Sequence, residues 1–320
     1  MSVIYIVSPP NFATGGVELL HQLGHNLENS GLTVFMYYYP ESSGDPVHSN
    51  YKEYGLNRTG QIKDEPGNWI IVPEIMTHLL HRFRHLRKAV WWLSVDNHFW
   101  HLPFPMNVAN YAIYRCMGRQ RYIGFDNRLL NIPLHLVQSS YAHEFISNKG
   151  AEEVQFLTDY LHSTFLKEAG KNDSKFRRVA YNPNKGKAFT RRLIRSMPDV
   201  EFVALRGMSR EKMVELLKSC MLYIDFGNHP GKDRIPREAA ILGCCLLVNR
   251  HGSAGHKDDM PIPEKYKLPM SRKVVAEAIR NTLNNYHILF PEFSDYVQCI
   301  LKQEEMYREE VRRLVNRLKS

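Results

Sequence analysis

Two α/β domains in tandem are the fold class this sequence predicts, and three observations predict it. Apolar runs of strand length alternate with segments of 3.6-residue periodicity along nearly the whole chain. The alternation stops at a polar stretch from Lys167 to Lys175, which carries Gly170, Asn172 and Asp173, and then starts again. The 320 residues are enough for two cores of ordinary size. Two Rossmann-like, doubly wound units follow from that pattern.

Val3 to Val7 reads as the first buried strand, because the run is of strand length and lacks the basic leader of a signal peptide. A loop from Pro9 to Gly16 leads into a helix from Val17 to Asn29, with Val17, Leu20, Leu23 and Leu27 on its apolar face. Gly31 ends that helix and Leu32 to Tyr39 is the next strand. The Gly15-Gly16 turn permits close backbone approach to a ligand and positive φ. It is not a G-x-G-x-x-G, so the dinucleotide fingerprint is not met. Pro40 to Gly67 is rich in turn formers and reads as a long loop.

Trp69 to Val72 is a strand ending in Pro73-Glu74, and Thr77 to Leu86 reads as a basic helix. His78, His81 and His85 share a face of that helix without a carboxylate or thiol, which favours solvated or packing histidines over metal ligands. Lys88 to Val95 is the fourth strand. Just beyond it, Ser94 to His101 gathers polar groups and rings where open α/β sheets hold ligands. His98 or His101 is the candidate base or hydroxyl partner there, and a structural role for each is the alternative. A strand at Leu134 to Gln138, a helix at Tyr141 to Asn148 and a strand at Val154 to Leu157 close the first series.

The second series opens with a strand at Arg178 to Tyr181, a turn at Asn182 to Gly186 and a helix at Lys187 to Met197. A strand at Glu201 to Leu205 and a helix to Ser219, with Ser209 as N-cap, come next. Met221 to Ile224 is a buried strand, and Pro236 then opens a helix that Gly243 stops. The loop between them holds two glycines with His229, Lys232, Asp233 and Arg234, and Arg237 follows. Strand, glycine loop and helix N-terminus make an anion site, because unpaired N–H groups and the helix dipole favour negative charge. The same residues also fit an ordinary strand-to-helix turn with a solvated basic loop. A strand at Cys244 to Val248, a Gly/Ser loop at Asn249 to Gly255 and a helix at Ser271 to Asn285 follow, and one long basic helix from Phe293 to Leu318 ends the series.

Composition is that of a globular protein, 43% apolar and 23% charged, and the net charge of +9 favours anionic partners. No RRM, KH, zinc or helix-turn-helix pattern supports a nucleic-acid partner. The five cysteines lack CxxC spacing and their odd number argues against a disulfide framework, which fits a reducing cytosol. No run approaches the ~20 apolar residues a membrane span needs, so a cytoplasmic protein, soluble or peripheral at the inner membrane face, is expected.

Three segments resemble the GT-B glycosyltransferases, specifically the retaining group (family 4 or group 1 type) that uses nucleotide-sugar donors. Gly15-Gly16-Val17-Glu18 with Gly31-Leu32-Thr33-Val34 is similar to that group's N-terminal pattern, with Thr33 as a departure. Arg178 to Gly186 resembles its strand and K-G turn, in which Lys185 matches the phosphate-binding lysine. Ile235 to Cys244 is similar to its second motif, and Glu238 matches the glutamate that holds the donor ribose. The family's upstream arginine has no counterpart, and Arg178, Lys232 or Arg234 is left to supply that charge. Its first glutamate is replaced by Pro230, which leaves Asp225 and Asp233 as the nearby carboxylates.

The resemblance implies an acceptor domain over 1–170, a donor domain over 171–300, a cleft between them and a helix over 301–320 that packs on the first domain. With the reading of the loops added, the expected donor-binding residues are Gly15, Gly16, Lys185, His229, Lys232, Arg234, Arg237 and Glu238, and the expected catalytic residues are His98, from its place beyond the fourth strand, with Asp225 and Asp233. No cofactor is expected. Nor is a metal, because the chain lacks a DxD triplet and its fixed cations can stabilise a leaving diphosphate instead. The implied activity is metal-independent sugar transfer from a nucleotide-diphosphate sugar to a cell-surface polysaccharide or glycolipid. The alternative is a non-catalytic nucleotide-sugar-binding protein on the same fold. Acceptor recognition is expected in the loops from Pro40 to Gly67 and from Phe99 to Arg128.

Overall fold

The apolar runs fold as parallel strands in two separate sheets. The computed structural model describes residues 2–98, 109, 112–113, 116–117, 127–171 and 174–320. The chain divides into one unit of Met1–Asp159 with Glu305–Ser320 and a second of Tyr160–Glu304.

In the first unit, β1 (Val3–Ser8), β2 (Thr33–Tyr38), β3 (Trp69–Pro73), β4 (Arg87–Trp92), β5 (Leu134–Val137) and β6 (Val154–Phe156) run parallel in the order β2-β1-β3-β4-β5-β6. Helix α1 (Gly15–Asn29) connects β1 to β2, α2 (Asn127–Leu130) precedes β5, and α3 (Ser140–Asn148) leads to β6. All five residues of β3 are buried, as a parallel strand covered on both faces requires. Tyr5, Val7, Ile70, Val72, Val90, Trp92 and Val137 form one core with Leu79, Ala142 and Ile146.

In the second unit, α4 (Ser163–Leu166) precedes β7 (Phe176–Tyr181), α5 (Lys187–Arg195), β8 (Glu201–Ala204), α6 (Arg210–Ser219) and β9 (Cys220–Asp225). Helix α7 (Arg234–Ile241), β10 (Cys245–Val248), α8 (Arg272–Asn284), α9 (Tyr286–Leu289) and α10 (Ser294–Leu301) follow. The sheet order is β10-β9-β7-β8, again all parallel. Both sheets share one winding: the first strand pairs with the second on one side and the third on the other. The topological switch point falls between β1 and β3 in one unit and between β7 and β9 in the other. The crevice beyond the strand C-termini at such a point is where open α/β sheets bind ligands.

Several elements differ from expectation for identifiable reasons. Gly15 and Gly16 are not a turn; they form the start of α1, and neither has a positive φ. Thr14 is the N-cap, its Oγ1 accepting from the Val17 N–H at 3.4 Å. The expected helix over Thr77 to Leu86 is 3-10 turns over Glu74–Arg82, kinked at Met76. The Asp64 carboxylate accepts the N–H groups of Arg84, His85 and Leu86 at 2.8, 2.9 and 2.9 Å, which turns that backbone out of a helix. His85 thus lies beyond the turns that carry His78 and His81.

Helix α7 begins at Arg234, so Pro236 is its third residue. The polar stretch after Lys167 is not the unit boundary. The chain enters the second unit at Tyr160, because Leu161 and Phe165 belong to that unit's core. The long terminal helix breaks at Lys302 into α10 and α11 (Gln303–Lys319). Tyr307, Val311, Leu314 and Leu318 are buried at helical spacing along α11. Glu310 Oε2 accepts from the Thr158 N–H and hydroxyl at 2.7 and 2.8 Å, and the Trp69 indole donates to Leu318 O at 3.2 Å. All five cysteines are free thiols, and burial pushes the Cys244 thiol up to about 12.

Candidate functional site

At the switch point of the second unit two loops are nested. The turn after β7 places Lys185 and Gly186, and the loop after β9 runs from Phe226 to Asp233. Gly186 has a φ of +53°, and a Cβ there would lie 2.6 Å from Phe226 O. A Cβ on Gly227 would lie 2.6 Å from that of Lys185. Glycine at both positions is what allows this backbone contact.

Buried donors hold the β9–α7 loop by its carbonyls. Asn249 Nδ2 donates to Gly227 O at 2.6 Å, the Ser253 N–H to His229 O at 2.9 Å and the Ser253 hydroxyl to Gly231 O at 2.5 Å. Arg237 donates from Nη2 to Lys232 O at 3.0 Å and from Nε to Asp233 O at 3.1 Å, and its Nη1 donates to Gln303 Oε1 at 2.7 Å. Arg237 is fully buried, so its contribution runs through the loop it holds. Asn249, Ser253 and Gln303 were not singled out from the sequence. Their only trace there is an ordinary Gly/Ser loop and a helix residue.

Beneath the loop, Asp225 Oδ1 accepts the Gly227 N–H at 3.0 Å and Oδ2 accepts the Tyr223 hydroxyl at 3.1 Å. Burial and the neighbouring Asp225 carboxylate raise the Tyr223 phenol well above its ordinary value. His229 is fully buried, with Nδ1 2.7 Å from Asp233 Oδ2 and Nε2 3.9 Å from Asp225 Oδ1. The Lys185 ammonium pairs with the same Asp233 oxygen. Burial works against ionisation of Asp233, yet the His229 hydrogen bond and the Lys185 charge outweigh it and hold the carboxyl below its usual range.

Asp233 occupies the N-cap position of α7 but makes no side-chain cap hydrogen bond. Its carboxylate is turned toward Lys185 and His229 instead of toward the helix amides. An N-terminus without its side-chain cap, beside a lysine, is suited to an anion. Arg234 donates to Tyr160 O at 3.5 Å, and Glu238 is buried in the second turn of α7. Arg178 lies out on β7, paired with Glu201 on β8 at 2.7 Å, so the cations at the loop are Lys185, Lys232 and Arg234. Asp225, His229 and Asp233 are also, among the described residues, a group whose ligand atoms lie within 4.8 Å of one another. The Lys185 ammonium already supplies a cation to that group.

The first unit carries the other expected residues. Gly15 and Gly16 open α1 beyond β1, where a Cβ on Gly16 would be 3.5 Å from Leu93 Cδ1. His98 is fully buried with its ring 5.2 Å from that of Trp92, which fits a packing role. His101 and nearly all of Phe99 to Arg128 lie outside the described residues.

Glu74, which sequence reasoning passed over, lies on the β3 side of this switch point. Its Oε2 accepts the Leu93 N–H at 3.0 Å. Burial, opposed by these backbone hydrogen bonds, raises its carboxyl to about 8. Between the unfolded value of 4.5 and about 8 the folded state holds a proton that the unfolded chain has released, so stability is lost as pH rises through that window. The loss is on the order of 4 kcal/mol. The first unit's thermal midpoint is therefore expected to fall by about 10 °C from pH 5 to pH 8. Glu74→Gln should remove most of that slope, as scanning calorimetry at the two pH values would show.

The sequence matches no family model, and no curated protein matches it. Solved structures match over the full length. Sucrose-phosphate synthase from Thermosynechococcus elongatus superimposes with a TM-score of 0.64 at 13% identity, covering 99% of each chain. Anabaena HepE in complex with UDP-glucose gives 0.61 at 10% identity, covering 99% of this chain and 100% of that one. A trehalose-6-phosphate structure from E. coli, bound with UDP-2-fluoro glucose, gives 0.63 at 10%, covering 100% and 99%. The fold is GT-B. Within this GT-B chain, Lys185, Asp225, His229, Asp233 and Arg237 meet in one network of the second unit, whereas Gly15, Gly16 and His98 belong to the first. No helix among the described residues is long and apolar enough to cross a membrane.

Proposed function

We propose that the chain is a glycosyltransferase whose second unit binds a nucleotide-diphosphate sugar. The observation that carries this reading is the meeting of Lys185 with the α7 N-terminus at the β7/β9 switch point, where Asp233 leaves the helix amides without a side-chain cap. Lys185, Lys232 and Arg234 then face the diphosphate, and Glu238 holds the ribose. Charge distribution supports the same reading. Residues 160–304 contain 25 Lys and Arg against 16 Asp and Glu, while the other unit balances 17 against 17. The whole excess of +9 thus lies on the unit assigned to the anionic donor, where it raises the local donor concentration.

Fixed cations at this loop perform the leaving-group stabilisation that a metal supplies elsewhere, so transfer proceeds without one. The acceptor is a cell-surface glycan or a lipid-linked one, reached from the cytoplasmic side with at most peripheral membrane contact. Calorimetry against a panel of UDP-, GDP- and ADP-sugars should find one that binds, and its slow hydrolysis should persist in EDTA. Absence of binding at millimolar donor would sink the reading, and loss of hydrolysis in EDTA would sink its metal-free form. Sedimentation with anionic vesicles tests the membrane contact, which fails if no protein pellets at low salt.

A second reading is a nucleotide-sugar-binding protein without transferase activity. It is favoured by the burial of Asp225 and the engagement of Asp233 by Lys185 and His229. A bound donor that is neither hydrolysed nor transferred would select it.

A further inference from the structure

The network around Lys185 has two layers. Asp225 and His229 form the lower one, with side chains 1% and 0% exposed. Asp233 and Lys185 form the upper one, at 22% and 23%. A single oxygen, Asp233 Oδ2, joins the layers by meeting both His229 Nδ1 and the Lys185 ammonium. An exposed carboxylate paired with a lysine would have little hold on it. Here the carboxylate is itself fastened from below by a fully buried imidazole, on a backbone held where His229 O accepts from the Ser253 N–H and where a Cβ on Gly252 would lie 2.0 Å from that oxygen. The Gly186 and Gly227 contacts fix the lysine backbone, and Asp233 fixes its tip.

We infer that Asp233 and His229 are positioning residues, which hold the Lys185 ammonium at the place where the donor diphosphate arrives. The inference rests on the reading of Lys185 as the donor-phosphate lysine. Lysine loses considerable side-chain freedom when it is ordered. An ammonium already ordered binds an anion more tightly by the entropy it does not lose on binding, about a tenfold difference in affinity. The arrangement also makes the sign of the effect diagnostic. Removing the Asp233 charge should tighten anion binding if Coulomb attraction alone matters, and weaken it if positioning dominates.

The test is titration of UDP, GDP and ADP by calorimetry, following the nucleotide that wild-type protein binds most tightly. Asp233→Asn should weaken its binding about tenfold, with a thermal midpoint close to wild type. His229→Leu should do the same, whereas His229→Asn should recover most of the loss, because its amide nitrogen occupies the place of Nδ1 and can donate to Asp233. Equal or tighter binding by Asp233→Asn would overturn the inference and make Asp233 a shield over Lys185. So would an Asn variant as weak as His229→Leu, or a collapse of the midpoint that accompanies the affinity loss. If Lys185→Ala binds nucleotide as wild type does, the donor reading of Lys185 fails instead, a separate outcome.

Discussion

Lys185→Ala is expected to lower donor turnover by about 100- to 1,000-fold while leaving the fold intact. The size follows from the role: one fixed donor aimed at developing negative charge is worth roughly 2.7–4 kcal/mol in the transition state. Its contribution to stability is of another order. The Lys185–Asp233 pair is about a quarter exposed, so solvent screening limits it to at most about 1 kcal/mol. The turn that carries Lys185 is held by backbone contacts of Gly186 and Gly227, which the substitution does not touch. Kinetics of donor hydrolysis and a thermal melt of the same preparation separate the two effects. A variant that keeps more than a tenth of wild-type turnover would remove Lys185 from the reaction. Lys185→Arg should recover only part of the rate, because a planar guanidinium does not reproduce an ammonium seated on one carboxylate oxygen.

The fold could be read from the sequence because it rests on signals that a single chain displays. Alternating periodicity, buried apolar runs such as Trp69 to Val72 and the punctuation around α7 all report local structure directly. The candidate site was readable where its residues are charged and sit in a glycine loop, as Lys185, His229, Asp233 and Arg234 do. Its supports were not. Asn249 and Ser253 act on carbonyls 22 to 24 positions away and Gln303 accepts from Arg237 across 66, and nothing local marks a residue whose partner is so distant. The misplaced helix over Thr77 to Leu86 has the same origin. Asp64, twenty residues upstream, captures the amides that would have extended it. Arg237 is the opposite case. Its charge suggests a ligand contact, whereas its burial and its three hydrogen bonds suit a clamp on the loop.

That distinction gives Arg237 a signature unlike that of Lys185. Replacing Arg237 with leucine removes the donors to Lys232 O, Asp233 O and Gln303 Oε1 together. Each buried acceptor left without a partner costs about 1–3 kcal/mol, and water can enter to satisfy some of them. A total loss on the order of 4 kcal/mol is expected, which lowers the second unit's thermal midpoint by about 10 °C. Nucleotide affinity should fall as well, because the loop's carbonyls lose the anchor that shapes it. Arg237→Lys should not restore stability, since one ammonium cannot reach three acceptors that a fork spans. Calorimetric melts with nucleotide titrations decide the matter. If Arg237 touched the donor directly, affinity would fall with the midpoint unchanged, as for Lys185; loss of both together is what a buried clamp requires.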